Sequence, residues 1–280
     1  MPPGHADPKV SVVACYREAV TTRVALVTGG SRGIGRAIAL ALGREGVAVA
    51  VAARGLDQAE ATAADVRAAG ANAVGVALDV AEAASIEAAI THAVAKLGPI
   101  DVLVNNAGVA ASAPFARTDP ATWERHFRIN VTGPYLATRT VLGGMLARGW
   151  GRVINVASLA GLVGSPYVTA YTASKHALVG LTRALATEVS GKGVTVNALC
   201  PGFVATDMVW SGARNIVAKT GRSFEDAVAS LAQMNPGGRL IEPDEVAAEA
   251  VRLLRDDTIN GETIVLDGST AMGRGRGEPS

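Results

Sequence analysis

Between Arg23 and Gly46 the chain reads as a short apolar run, a cluster of glycines and an amphipathic helix in direct succession. Arg23-Val-Ala-Leu-Val-Thr28 has the make-up of a short buried strand, and Arg36-Ala-Ile-Ala-Leu-Ala-Leu42 reads as a helix. Gly29, Gly33 and Gly35 lie between them, with Ser31, Arg32 and Ile34 filling the loop. Glycines allow a tight turn and close approach to a pyrophosphate, whose charge then rests on the amino terminus of the helix. A glycine loop alone is often only a turn. The strand before it and the helix after it point to a bound dinucleotide.

The alternation continues. Apolar runs at 47–53, 73–78, 100–104, 152–157, 194–199 and 263–266 read as strands. Helical stretches fall between them at Leu56–Ala69, 82–97, Pro120–Val131, Gly133–Ala147 and from Ser174 onward, and Pro243 opens another. Such a pattern predicts an α/β single-domain Rossmann fold, a parallel sheet with right-handed crossovers, and ligands at the carboxyl ends of the strands. Residues 207–237 break the rhythm: Met208, Trp210, Phe224, Leu231 and Met234 are scattered among polar residues and predict a helical flap over a substrate.

The strand at 152–157 ends at Ser158, and Tyr171 and Lys175 stand one helical turn apart beyond it. A free phenol ionises near pH ~10. An ammonium within ~4–6 Å favours the phenolate and lowers that value by ~1–3 units, which would let Tyr171 exchange a proton near neutrality. Ser158 would hold a carbonyl oxygen. The same Tyr-x-x-x-Lys spacing also arises as a chance helical pair, so its meaning depends on the upstream loops.

Those loops add further candidates. The second strand closes with Ala53 and then Arg54, where a site for the unphosphorylated ribose has an acid. Arg54, with Arg32 in the glycine loop nearby, suits a 2′-phosphate and hence NADP(H); two solvated surface arginines are the alternative. Asp79 can accept from an adenine amino group, with Val80 beside it, or cap the helix starting near Glu82. Asn105, Asn106, Ala107 and Gly108 suit contact with a flat ligand or a stabilising turn. Asn130 falls between two helical stretches, where a kink would point its amide inward. Pro201 and Gly202, then Val204 and Thr206, close the sixth strand on the same face.

With 280 residues, 49% apolar and 18% charged, the chain can bury one large core. Its formal charge of +1 gives no long-range pull toward nucleic acid or an acidic membrane. No apolar run is long enough to span a bilayer, and the start lacks the centre of a secretion signal, so the expected location is cytoplasmic. Cys15 and Cys200 make no disulfide framework, and no His/Cys cluster suggests a metal. Residues 1–22 are expected to be a mobile extension, 23–270 the catalytic domain, and 271–280 a disordered tail.

Taken together, Thr28-Gly29-x-x-x-Gly33-x-Gly35, Asp79, Asn105 to Gly108, Asn130, Ser158, Tyr171-x-x-x-Lys175 and Pro201-Gly202 with Thr206 resemble a short-chain dehydrogenase/reductase across residues 23–268. Ala52 to Gly55, Gly144 to Asn155, Tyr171 to His176 and Asn197 to Val204 are most similar to β-ketoacyl and polyketide ketoreductases. The resemblance implies a seven-stranded sheet, hydride transfer between NADP(H) and a ketone or alcohol, and a homotetramer. It implies that Ser158 binds the substrate oxygen, Tyr171 transfers the proton, Lys175 holds the nicotinamide ribose and lowers the tyrosine's pKa, and Asn130 anchors a water leading to solvent. Thr206 and the backbone after Pro201 would hold the carboxamide. A β-ketoacyl, cyclic or polyketide-like ketone is the expected substrate, with acyl-carrier- or CoA-linked forms among the alternatives. Lys192, Arg148 and Arg152 would be the carrier's docking cations, or plain surface charges. Oxidation of a secondary alcohol or 3-hydroxyacyl group is the second reading, and a non-catalytic dinucleotide-binding scaffold a weaker third. One departure stands out: Val109 to Ala113 replaces the Pro-Gly-Gly that polyketide ketoreductases carry at this point and that bears on their stereochemistry.

Overall fold

The computed structural model describes residues 22–269. The expectations for residues 1–21 and 270–280, Cys15 included, lie outside them. Within them the first half of the chain runs β1 (Val24–Thr28), α1 (Gly33–Arg44), β2 (Ala48–Ala53), α2 (Leu56–Ala68), β3 (Ala73–Ala77), α3 (Ala83–Leu97), β4 (Val102–Asn105), α4 (Pro120–Phe127) and α5 (Gly133–Arg148). The second half runs β5 (Gly151–Val156), α6 (Thr169–Glu188), β6 (Val194–Pro201), α7 (Asp207–Thr220), α8 (Phe224–Ala232), α9 (Pro243–Arg255) and β7 (Thr263–Leu266).

The strands form one seven-stranded sheet in the order β3-β2-β1-β4-β5-β6-β7, and each pair is parallel. Growth of the sheet reverses between β1 and β4, which opens a crevice at their carboxyl ends where ligands bind in such sheets. Alternate residues of each strand serve opposite faces. Ala25, Val27, Val49, Val51 and Val104 pack under Ile38, Leu42 and Leu253 of α1 and α9. Leu26, Ala50, Leu103, Val153 and Val196 pack under Ile86, Ile90, Val141 and Met145 of α3 and α5. Each fully buried large side chain contributes about 1.5–3 kcal/mol. Both faces are covered over β1, β2, β4, β5 and β6, so those strands read as continuous apolar runs.

The outer edge of β3 is closed by side chains. Arg67 donates to the Ala73 carbonyl at 2.9 Å, Glu60 accepts from the Gly75 N–H at 2.8 Å, and the two are paired at 2.7 Å. That occupies the backbone groups through which a second edge would pair.

Two expectations are refined. The kink at Asn130 is a π-helical turn, Arg128–Thr132, joining α4 to α5 without a break. Strand β6 runs two residues beyond Leu199, because Cys200 and Pro201 pair in register with Val265 and Leu266. No helix among the described residues is long and apolar enough to cross a membrane.

Candidate active site

Ser158 follows β5 and opens a short turn, Leu159–Gly161. Its Oγ accepts from the Ala160 N–H at 3.1 Å, which leaves its hydrogen free for an acceptor. Tyr171 lies in the first turn of α6 and Lys175 one turn further on. Lys175 is only 5% exposed; its Nζ donates to the Val156 carbonyl at 2.7 Å and lies 5.8 Å from the centre of the Tyr171 ring. A Cβ placed on Gly108 would be 3.7 Å from that Nζ and 3.2 Å from Asn130 Oδ1. Gly108, Asn130, Tyr171 and Lys175 are thus drawn together from three segments at the carboxyl end of the sheet.

Below them a buried amide network ties the layers. Asn105 donates to Asn155 Oδ1 at 2.8 Å and Thr138 Oγ1 at 3.2 Å, and Asn155 donates to Thr182 Oγ1 at 2.9 Å. It crosses from α5 through β4 and β5 to α6, and satisfied buried networks of this kind fix geometry. Ser174 donates to the Tyr171 carbonyl at 2.7 Å and accepts from Asn130 at 3.0 Å, linking the π turn to the helix that carries the phenol.

Residues 23–216 match the family described as short chain dehydrogenase. The chain belongs to the short-chain dehydrogenase family. It is 42% identical over 247 residues to 2-(S)-hydroxypropyl-CoM dehydrogenase 3 of Xanthobacter autotrophicus, covering 88% of this chain and 95% of that protein. It is 39% identical over 259 residues to a 3-oxoacyl-acyl-carrier-protein reductase of Synechocystis, covering 91% and 99%. The crystal structure of an actinorhodin polyketide ketoreductase variant with NADPH superposes with a TM-score of 0.85 at 38% identity, covering 89% of this chain and 98% of that one.

The glycine loop of this dehydrogenase fits a dinucleotide. Gly29 and Gly33 take φ of 64° and 52°, which side-chain-bearing residues rarely adopt. A Cβ on Gly35 would overlap the Gly29 carbonyl and the Asn106 amide, so the backbone of α1 is seated directly on the loops after β1 and β4. The amino terminus of α1 has no side-chain cap and no acid in its first turn, whereas α4 and α8 are capped by Asp119 and Ser223. A free amino terminus over glycines is what a phosphate needs. Thr206 packs against the position of Gly33, so the loop after β6 reaches the same crevice.

Several other candidates are engaged within the protein. Asn106 spends both amide hydrogens inside the protein, on the Thr28 and Gly29 carbonyls at 2.9 and 3.1 Å; its side chain positions the loop. Asp79 does not cap α3: its Oδ1 accepts from Ala81 N–H in a tight turn, and Glu82 stands at the helix start. Arg32 reaches toward the flap and pairs with Asp207 at 3.3 Å, whereas Arg54 is exposed and makes no ion pair among the described residues. Arg152 is buried at the amino end of β5, against Trp150 at 4.3 Å, and Arg148 is bonded to Asp101 at 3.1 Å. Neither belongs to a docking surface near Ser158, which lies at the opposite end of β5.

The expected lowering of the phenol's pKa is also reversed in the protein alone. Burial raises Tyr171 above the usual phenol value, opposed by a hydrogen bond with Ser158, and burial lowers Lys175 to about 8. Desolvation disfavours both charged forms and outweighs their attraction at this separation. Cys200 beneath them is pushed up to about 11 by burial.

Three residues of the site gave no sequence signal. Asn155 is hidden within an apolar strand. Asn235 is buried and clamps the loop after β6: it accepts from Phe203 N–H at 2.8 Å and donates to the Phe203 and Arg239 carbonyls at 3.0 and 2.6 Å. His126 is buried within α4, its ring edge-on to Tyr171 at 6.5 Å between centroids.

Proposed function

We propose that this chain reduces a β-ketoacyl or cyclic, polyketide-like ketone to a secondary alcohol with NADP(H). The observation that carries the reading is the convergence of Ser158, Tyr171 and Lys175 at the strand ends beside an uncapped glycine-loop helix. A nicotinamide held there would supply the hydride for the carbonyl carbon.

The rest falls to the chain's own side chains. Ser158, with its lone pair held by Ala160, donates to the ketone oxygen and fixes it beside Tyr171. Tyr171 gives its phenolic proton to that oxygen as the carbon is reduced, so that one hydride and one proton make the alcohol. Lys175, directed by the Val156 carbonyl, holds the nicotinamide ribose and stabilises the resulting phenolate. Asn130, committed to Val109 and Ser174, shapes the side of Lys175 where a water would lead to solvent. In the cofactor set, Gly29, Ser31, Gly33, Ile34 and Gly35 would hold the pyrophosphate, and Asp79 and Val80 the adenine. Ala107, Gly108, Pro201, Gly202, Val204 and Thr206 would hold the nicotinamide, and Arg54 the 2′-phosphate.

The actinorhodin ketoreductase with NADPH supports the cofactor, and the 3-oxoacyl reductase supports the substrate class, with carrier- or CoA-linked forms included. The hydroxypropyl-CoM dehydrogenase favours the oxidative direction as a second reading, in which the same residues act in reverse. Assembly as a cytoplasmic homotetramer through α5 and α6 is part of the proposal, supported by the half-exposed Tyr135 on α5.

The cofactor test is turnover of a ketone panel with NADPH and with NADH. Arg54 leads to a preference for NADPH of at least about tenfold in kcat/KM. A preference for NADH of that size would overturn the assignment.

A further inference from the structure

The segment leaving β4 forms no regular element, yet its backbone is fixed at every second residue. Val109 is held on both sides by Asn130: its N–H donates to Oδ1 at 2.9 Å and its carbonyl accepts from Nδ2 at 2.9 Å. Ala111 N–H donates to Nε2 of His126 at 3.1 Å, and Ala113 N–H donates to the Tyr167 carbonyl at 2.8 Å. This is the alternation of an extended chain, whose successive amides point to opposite sides.

Both ends of the segment touch the chemistry. Gly108 borders Lys175 and Asn130. Tyr167, four residues ahead of Tyr171, is held at φ 65°, a conformation a bulky residue keeps only when its surroundings impose it. A ketone bound by Ser158 and Tyr171 therefore lies alongside residues 109–113.

His126 supplies the middle tie. It is 1% exposed, and its Nδ1 lies 2.7 Å from the Thr122 carbonyl one turn back. That carbonyl can only accept, so Nδ1 carries the hydrogen and Nε2 is the acceptor that Ala111 uses. The ring is thereby locked at both nitrogens. Ala111 is exposed, so without His126 its N–H turns to water at little cost. The fold survives that loss; the wall beside Tyr171 does not keep its place.

We propose that His126 is a positioning residue for ketone binding, which through Ala111 sets residues 109–113 as the wall beside Tyr171. The proposal rests on the ketone-reductase reading of the site.

The test compares His126→Leu and His126→Gln in the full chain. It follows KM and kcat for a ketone that the wild type reduces, the Kd of NADPH, and hydrogen exchange of the 109–113 segment. His126→Leu is expected to raise KM about tenfold, with kcat within roughly threefold, NADPH Kd unchanged and faster exchange. His126→Gln, whose amide oxygen can accept the same N–H, is expected to bring KM and exchange back to within about threefold of wild type. An unchanged KM in His126→Leu, a His126→Gln variant no better than it, or a joint loss of kcat and NADPH binding would each overturn the proposal. If His126→Leu does not fold, Ala111→Pro removes the same bond from the other partner and must reproduce the rise in KM. A wild type that reduces no ketone sinks the underlying reading instead. The tie itself is then tested separately, by slow exchange at Ala111 and its loss in His126→Leu.

Discussion

The floor of the strand-end crevice and the helical flap of α7 and α8 are built on different principles. In the floor, polar groups are spent on one another. Thr28 Oγ1 accepts from the N–H of Asn106 and of Ala107, both at 3.0 Å, and Asn106 returns bonds to the carbonyls of Thr28 and Gly29. The flap has its own small core, Val209, Ala213, Ala227 and Leu231, with Trp210, Ile216 and Val228 packed on it. Polar links to the body include the Asn235 clamp, the Gly237 N–H donated to the Asp267 carbonyl at 3.0 Å, and the exposed Arg32–Asp207 pair. An exposed pair of that kind adds little stability. The floor is thus held by interlocked hydrogen bonds, while the flap rests chiefly on its own apolar core, against which Phe203 and Leu240 of the body pack.

The contrast is broken most directly at Gly35. Changing Gly35→Ala forces a methyl into the Gly29 carbonyl and the Asn106 amide, with an expected loss of about 3 kcal/mol or more in urea unfolding, together with nucleotide binding. An alanine variant of wild-type stability would show that the floor is not rigid.

Lys175 sharpens the contrast through pH. Burial lowers its folded-state value from 10.5 to about 8. Below pH 8 both folded and unfolded chains hold the proton, and the folded state carries the whole cost of burying the charge, on the order of 3 kcal/mol. Between pH 8 and 10.5 the folded chain releases the proton first and the cost shrinks. Lys175→Met is therefore expected to be more stable than wild type at pH 7, with the gap closing across that window while activity is lost. A gap that is flat with pH would mean that the amine is not held in a buried place.

The smallest expected effect is in the flap. Leu231→Ala should cost about 2–3 kcal/mol. Because the loss falls within a local core, it should appear as faster exchange in α7 and α8 and a raised ketone KM, with NADPH affinity unchanged. Loss of NADPH affinity in this variant would make floor and flap a single unit.

The same contrast explains what the sequence could reveal. Strands β1, β2, β4, β5 and β6 are legible because both faces of the sheet are buried there, which turns each into an apolar run bounded by turn residues; the half-buried edge strands β3 and β7 are legible as short apolar runs between turns. The positions of Ser158, Tyr171 and Lys175 are legible because strand end and helix turn impose fixed spacing. Partners across the fold are not. That Arg32 meets Asp207, that Asn106 is spent on Gly29, and that Arg148 is bonded to Asp101 all depend on contacts between distant segments. The phenol's pKa escapes the sequence for a related reason: spacing along a helix gives the distance between two groups but not how much water surrounds them. His126 and Asn235 are silent because a lone histidine or asparagine has no pattern until its partners are placed.

Tyr171 is proposed to deliver the proton, while the nucleotide keeps its place without the phenolic hydroxyl. Tyr171→Phe, assayed for ketone reduction and for NADPH affinity on one preparation, tests both halves together. Turnover should fall by about 10²–10⁴-fold with the NADPH Kd within roughly twofold of wild type. A phenylalanine variant that reduces ketones at the wild-type rate would contradict the account.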